Sequence, residues 1–417
     1  MNASILKALA CSLALAATLL AAAPVARAQS KGRQRSRQAR PTAQKPAASN
    51  PEYEQAVKLG DEARLARRFE DAIEQYGKAL RIQPRWADGW WYVGAIFYEQ
   101  DRYAEARDAF RNVVALDPNR GPAWGMLGLC EFQTREYERA GSSLLRGRLL
   151  GLGSHPELEA VVRYHAALLY IRFEEFEIAY DVLTEFVRVG HESPKVGEAF
   201  GLAILRMPFL PGEIPADKRE QVLIAGRAAL DMAARRMDQA RSAFDTLMAR
   251  YPNEPNVHYA HGVYLMSQDA EAAMKEFRRE LEISPSHHPA MVQMAFEYLK
   301  RDEYSEALPL AEKAVQLAPK MFAARNVLGR VLLELGQVDR AIKELEEGTR
   351  LAPNSPEMRY ALGRAYRRAG READAKREVA LFQKLQEQFN ARRNPQPGGS
   401  PQPAAGEVNN GQPKPGP

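Results

Sequence analysis

The chain has 417 residues, 45% of them hydrophobic and 27% charged, with two cysteines and a formal net charge of +5. That is enough apolar material for a substantial core and too little cysteine for a disulfide-held scaffold. The charge sits at the ends: +2 in residues 1–28, +5 in 29–52 and +2 from 391 onward, which leaves −4 for residues 53–390.

Residues 1–28, MNASILKALACSLALAATLLAAAPVARA, place Lys7 before an uncharged Ala/Leu run and end in the small residues Ala26 and Ala28. The pattern predicts a cleavable secretory signal peptide cut after Ala28. The rival, an uncleaved anchor, needs about 20 apolar residues. Cys11 would leave with the leader, and Cys130 would remain as a lone thiol. No later segment reads as a membrane span, so a soluble periplasmic or secreted product is expected. Residues 29–52 carry Lys31, Arg33, Arg35, Arg37, Arg40 and Lys45 without apolar periodicity, and are expected to form a disordered basic arm.

From residue 53 to 390 one short phrase recurs: RRFEDA, DRYAEA, REYERA, EEFEIA, RRMDQA, QDAEAA, DEYSEA, GQVDRA, GREADA. Its final alanines are Ala72, Ala106, Ala140, Ala179, Ala240, Ala273, Ala307, Ala341 and Ala375, spaced 34, 34, 39, 61, 33, 34, 34 and 34 residues apart. Twelve positions earlier stands another small residue: Gly60, Gly94, Gly128, Ala167, Ala228, Ala295, Gly329 and Gly363, with Gly262 eleven before Ala273 in the shortened sixth repeat. Two small residues across a turn let antiparallel helices approach closely, where a larger side chain would overpack the crossing at about 1–3 kcal/mol. Pro84, Pro118, Pro252, Pro285, Pro319 and Pro353 follow the alanines by twelve and end the second helix.

Repeats 1–4 are expected over 53–193 and repeats 5–9 over 221–390. Between them, residues 194–220 hold an apolar helix and a proline-rich loop in which Phe209 and Leu210 are expected to be exposed. The loop at 208–217 is a spacer or a docking element, with the spacer preferred. Residues 391–417 read as a disordered Pro/Gly-rich tail.

Repeat 2 carries Trp90, Val93-Gly94, Phe97, Ala106, Phe110, Val113 and Pro118. With these spacings the region resembles a tetratricopeptide repeat array. The resemblance implies an all-α fold, a right-handed superhelical solenoid of about nine antiparallel helix pairs. It also implies a non-catalytic scaffold or adaptor that takes a protein or peptide in its concave groove.

No phosphate-binding, dinucleotide-binding or zinc-protease string occurs, and repeats with terminal segments leave no room for a catalytic domain, so no enzyme activity and no cofactor are expected. His258 and His261 stand three apart on one helix, with His287 and His288 about a repeat later. Their phase is that of the packing stripe and no further ligand completes a metal site. Cys130 reads as a small core hydrophobe.

In the resembled family the groove is faced by residues one past the packing stripe. Here these are Trp91, Tyr98, Phe132 and Tyr164 in the first half, an aromatic set of the kind that anchors partners. In the last two repeats they are Asn326, Arg330, Tyr360, Arg364, Arg367 and Arg368, a cationic end suited to a carboxylate or acidic segment. This end is loosely similar to the carboxylate-clamp subgroup, although repeat 7 offers Val292 and Phe296 instead of polar residues. Two alternatives stay open: Trp91 packs against the next repeat, and the basic arm with the Arg end binds an anionic envelope polymer such as peptidoglycan or polysaccharide. No nucleic acid is expected as partner.

Overall fold

The computed structural model describes residues 50–153 and 156–393. The expected signal peptide, nearly all of the basic arm and the tail beyond 393 lie outside the described residues. Among those described there are nineteen α-helices and one 3-10 turn, Pro211–Glu213.

Two compact units divide between Val196 and Gly197. The first contains α1 (Pro51–Leu65), α2 (Phe69–Ile82), α3 (Ala87–Glu99), α4 (Tyr103–Leu116), α5 (Gly121–Gln133), α6 (Tyr137–Leu150), α7 (Pro156–Arg172) and α8 (Phe176–Arg188). Helix α9 (Pro194–Ile204) runs through the division. The second contains α10 (Arg219–Ala233), α11 (Met237–Arg250), α12 (Val257–Leu265), α13 (Ala270–Ile283) and α14 (His288–Lys300), followed by α15 (Tyr304–Leu317), α16 (Phe322–Glu334), α17 (Val338–Leu351), α18 (Pro356–Arg368) and α19 (Glu372–Arg393). Helices pack pairwise in chain order, α1 on α2 through α7 on α8 and α10 on α11 through α18 on α19, each pair being one repeat.

The small residues act where the period placed them. All nine recurring alanines are buried. A Cβ on Gly60 would come within 2.7 Å of Tyr76, one on Gly128 within 2.7 Å of Leu144, and one on Gly329 within 2.5 Å of Leu345. Each glycine thus receives the large side chain sixteen residues on, and the paired helices close over it.

The internal turns of eight of the nine repeats, all but the sixth, share a left-handed residue: Arg67, Asp101, Arg135, Glu174, Arg235 and Asp302 at φ 56–63°, and Gly336 and Gly370 at φ 76° and 73°. The next residue's N–H returns to the helix five residues back, as Arg102 does to the Phe97 carbonyl at 2.9 Å and Gln337 to that of Leu332 at 2.8 Å. This is a Schellman closure, for which glycine is the usual residue.

At the inserted segment α9 lies backbone to backbone on α10. A Cβ on Gly201 would sit 2.0 Å from the Val222 carbonyl oxygen, and one on Gly226 2.0 Å from that of Gly197. Ala199, Phe200 and Leu202 are fully buried. The following loop corrects the sequence reading: Leu210 and Ile214 are buried and Phe209 is half-buried. The loop's own apolar residues fold inward, and so it lacks the exposed Phe209/Leu210 pair anticipated for it.

Candidate protein-interaction face

The position that carries tryptophan in repeats 2 and 3 holds a side-chain donor in five repeats, always aimed at the same acceptor. Trp90 Nε1 donates to the Pro84 carbonyl at 2.9 Å and Trp124 Nε1 to that of Pro118 at 2.9 Å. His258 Nε2 stands 2.8 Å from the Pro252 carbonyl, Arg325 Nε donates to Pro319 at 2.8 Å and Arg359 Nε to Pro353 at 3.0 Å. A proline six residues upstream has no N–H of its own, and its carbonyl, left over at a helix end, takes this side-chain donor.

Where the donor is a cation, the second helix supplies a carboxylate. His258 Nδ1 meets Glu276 at 2.5 Å, Arg325 meets Glu344 at 2.5 Å and Arg359 meets Glu378 at 2.8 Å. Where the donor is tryptophan, the corresponding residue is Ala109 or Ser143. Sequence reasoning saw Trp90 as packing and missed this donor role. The signal was available, a Trp, His or Arg six after each of five terminal prolines.

The aromatic groove expected in the first half is corrected. Trp91 is only 2% exposed and Tyr98 3%. Trp91 lies edge-on to Phe110 and under the Arg120 guanidinium at the start of the next repeat. Its indole N–H is buried without an acceptor among the described residues. The next repeat covers these positions, so neither side chain can anchor a partner. Phe132 is half-buried, edge-on to Tyr137 and His165, and Tyr164 is half-buried with its hydroxyl 3.5 Å from the Lys195 carbonyl.

The cationic residues of the last repeats do come together. Helix α16 neighbours both α14 and α18. Arg330 lies half-buried above the Phe296 ring, 5.3 Å from its centroid. Among the described residues it has no hydrogen bond or ion pair, and burial, then the nearby Arg364, hold its pKa below the usual arginine value. Arg364 pairs with Glu334 at 2.8 Å, with Arg368 3.9 Å from the same carboxylate. Tyr360 is 51% exposed and packs against Phe382, Arg367 is exposed, and Asn326 Oδ1 is buried without a donor among the described residues.

A depression of ≈ 680 Å³ in the first unit, lined in part by Arg111, Trp124 and Arg139, has a different electrostatic character. Both arginines there bind Glu136. Burial works against that carboxylate's charge, but Arg139 and Arg111 outweigh it and bring its pKa to about 2. Its cations are neutralised from within, unlike Arg330.

Two family models, both described as Tetratricopeptide repeat, match residues 57–121, 105–148 and 226–288, and residues 298–364, together more than half of the sequence. The chain is a tetratricopeptide repeat protein. As such it is a scaffold for protein interactions. The unmatched stretch between 148 and 226 holds the fourth repeat and the inserted helix.

Curated relatives are the general transcriptional corepressor trfA of Dictyostelium discoideum, 22% identical over 143 residues, and the general transcriptional corepressor ssn6 of Schizosaccharomyces pombe, 26% identical over 140. These alignments cover 34% and 33% of this chain but only 10% and 12% of those proteins. Solved structures with likeness include the MamA RS-1 ArsTM double mutant (21% identity, TM-score 0.37, 41% of this chain and 97% of that one). Another MamA crystal structure gives 18% identity, TM-score 0.35, and 41% and 93% coverage.

Within this tetratricopeptide repeat array, Cys130 is fully buried, and burial pushes its thiol pKa well up, away from reactivity. His258 and His261 both face Glu276, and His287 is an N-cap whose Nδ1 accepts from the Ala290 N–H at 3.1 Å. No described helix is long and apolar enough to cross a membrane.

Proposed function

We propose that this protein is an exported scaffold that binds an acidic protein segment on the face made by α14, α16 and α18. Arg330 carries the reading: a half-buried guanidinium stacked on Phe296, with no hydrogen bond or ion pair among the described residues, where the pull of Glu334 is outweighed by burial and Arg364. An unpaired, partly desolvated cation costs free energy, and a partner's carboxylate would recover it through a charge-assisted pair of about 1.5–3 kcal/mol. Arg364 and Tyr360 act on that guanidinium, Asn326 precedes it by one turn on α16, and Arg367 follows Arg364 on α18. Phe132 and Tyr164 remain as aromatic edges for a second contact in the first unit.

The test is a fluorescence-anisotropy titration with a labelled peptide ending in acidic residues, in its free-carboxylate and amidated forms. Arg330→Gln is expected to weaken the free form about tenfold or more, in line with the loss of one charge-assisted pair. Equal affinity for wild type and variant would remove Arg330 from the site.

Export rests on the Lys7, Ala/Leu and Ala26–Ala28 pattern. Amino-terminal sequencing of the protein recovered from the periplasm should begin at Gln29, and a retained Met1 would overturn it. The six cations of residues 31–45 favour a second reading, adhesion to an anionic envelope polymer. Retention on insoluble cell wall that vanishes at high salt and on deletion of residues 29–49 would support it.

A further inference from the structure

Repeat 6 builds the proline–cation–glutamate bridge from the one cation of the three that loses its charge near neutral pH. His258 is buried, with Nε2 2.8 Å from the Pro252 carbonyl and Nδ1 2.5 Å from a Glu276 oxygen. A carbonyl and a carboxylate only accept, so both ring nitrogens must carry hydrogen. A neutral imidazole can donate to one of the two. Arg325 and Arg359, at the same place in repeats 8 and 9, make both bonds at any ordinary pH.

The surroundings contribute few competing charges. Helix α13 brings Glu276 and the fully buried Glu280, whose oxygens accept from the Asn256 N–H at 2.9 Å and the Tyr259 N–H at 3.2 Å. On α12 itself, His261 Nδ1 lies 3.4 Å from the other Glu276 oxygen. Helix α11 presents Phe244 to His261, and its Arg241 interacts with Tyr264. At the start of α14, His287 Nε2 faces the Asn256 side-chain oxygen at 3.0 Å, and burial, then Arg206 and His288, depress its pKa to about 3. His287 therefore stays neutral while His258 is charged.

Repeat 6 is also the slightest of the array. Helix α12 has nine residues, and its N-cap, Asn256, adopts a left-handed φ of 70° with no side-chain cap of its own. Beside the packing of Val257, Ala260 and Tyr264 and the seat of Gly262 on Phe277, its polar ties to α13 are Glu280 and the His258 bridge.

We propose that repeat 6 is a pH-operated weak point of the second compact unit: charged His258 fastens α12 to both Pro252 and Glu276, and its deprotonation releases one fastening, so α12 opens first as pH rises.

The direction follows from linkage. Burial lowers the His258 pKa, but the bonds to Glu276 and the Pro252 carbonyl outweigh it and leave it raised above 6.5. For Glu276, burial raises the pKa, and His258 and His261 outweigh it to about 2. The bridge is thus complete between the ordinary values, 4.5 for the carboxyl and 6.5 for the imidazole. It weakens as pH rises through the elevated His258 value, and on the acid side is lost as pH falls toward about 2.

Hydrogen exchange by mass spectrometry on the full chain, near pH 6 and near pH 8.5 and corrected for intrinsic rates, tests this. Opening across 252–283 should increase about tenfold per pH unit between the unfolded and folded His258 pKa values. Segments 322–351 and 356–385, with arginine in the bridge, should stay constant. His258→Arg should keep 252–283 protected at both pH values. Wild-type protection that does not change with pH, or an equal rise in the arginine variant, overturns the proposal. Should that variant fail to fold, NMR titration of the His258 ring in the wild type decides: a midpoint above 6.5 supports the proposal and one at or below 6.5 overturns it.

Discussion

Repeats 2 and 3 and repeats 8 and 9 reach the same proline carbonyl with opposite chemistry. In the first pair a neutral indole donates, and its ring fills volume beside Ala109 or Ser143. In the second pair a guanidinium donates and the second helix answers with Glu344 or Glu378. What these four repeats keep is thus the donor reaching back six residues, and the residue nineteen further on adjusts to the donor's size and charge. A mostly buried cation without its carboxylate would cost more than the bridge returns, which is why the two positions change together.

The largest break in this comparison is Glu378→Ala. Glu378 is 5% exposed, and its loss leaves the Arg359 charge mostly buried beside the proline carbonyl, which should lower stability by about 3 kcal/mol in urea unfolding. Changing an exposed pair such as Arg350–Glu347 should have a much smaller effect, since solvent screens it. If both effects are alike, the bridge has no special place in the fold.

An intermediate effect should come from transplanting one chemistry into the other. Trp90→Arg alone should cost about 2 kcal/mol through lost ring packing and an unpaired charge. Adding Ala109→Glu should restore about 1 kcal/mol of it, read as the coupling in a double-mutant cycle. A coupling near zero would mean that the two positions do not form one device.

The smallest effect distinguishes the turns. Repeats 8 and 9 use glycine where repeats 1–5 and 7 hold an L-residue at positive φ. Arg135→Gly relieves left-handed strain of about 1–2 kcal/mol against a glycine entropy cost of about 0.5–1. A gain of roughly 0.5 kcal/mol in thermal unfolding is expected, and Gly336→Arg should show the opposite sign.

Much of this fold is legible in the string because contacts inside a repeat recur with the repeat. Ala106, Gly94 and Pro118 keep their spacing, and each role was readable before any coordinates. The fate of Trp91 and Tyr98 was not, because it depends on neighbouring side chains that are not part of the short motif. Arg120, for instance, lies twenty-nine residues on and covers the Trp91 ring. The cationic face at Arg330 and Arg364 was visible as composition, but that Glu334 neutralises Arg364 while Arg330 stays unpaired among the described residues depends on the rotation between α14, α16 and α18. The inward turn of Leu210 likewise had no periodic signal behind it.

The glycine crossing of α9 and α10 bears on the inheritance of this chain. Every missense change of a glycine codon introduces at least a Cβ, and at Gly201 and Gly226 that atom would collide with a backbone carbonyl. A saturation screen of the gene should therefore find these two codons intolerant of all nineteen alternatives, while the codon for Gly212, where a Cβ would meet nothing within 4 Å, accepts many. The inserted helix is in this sense guarded at the level of single nucleotides.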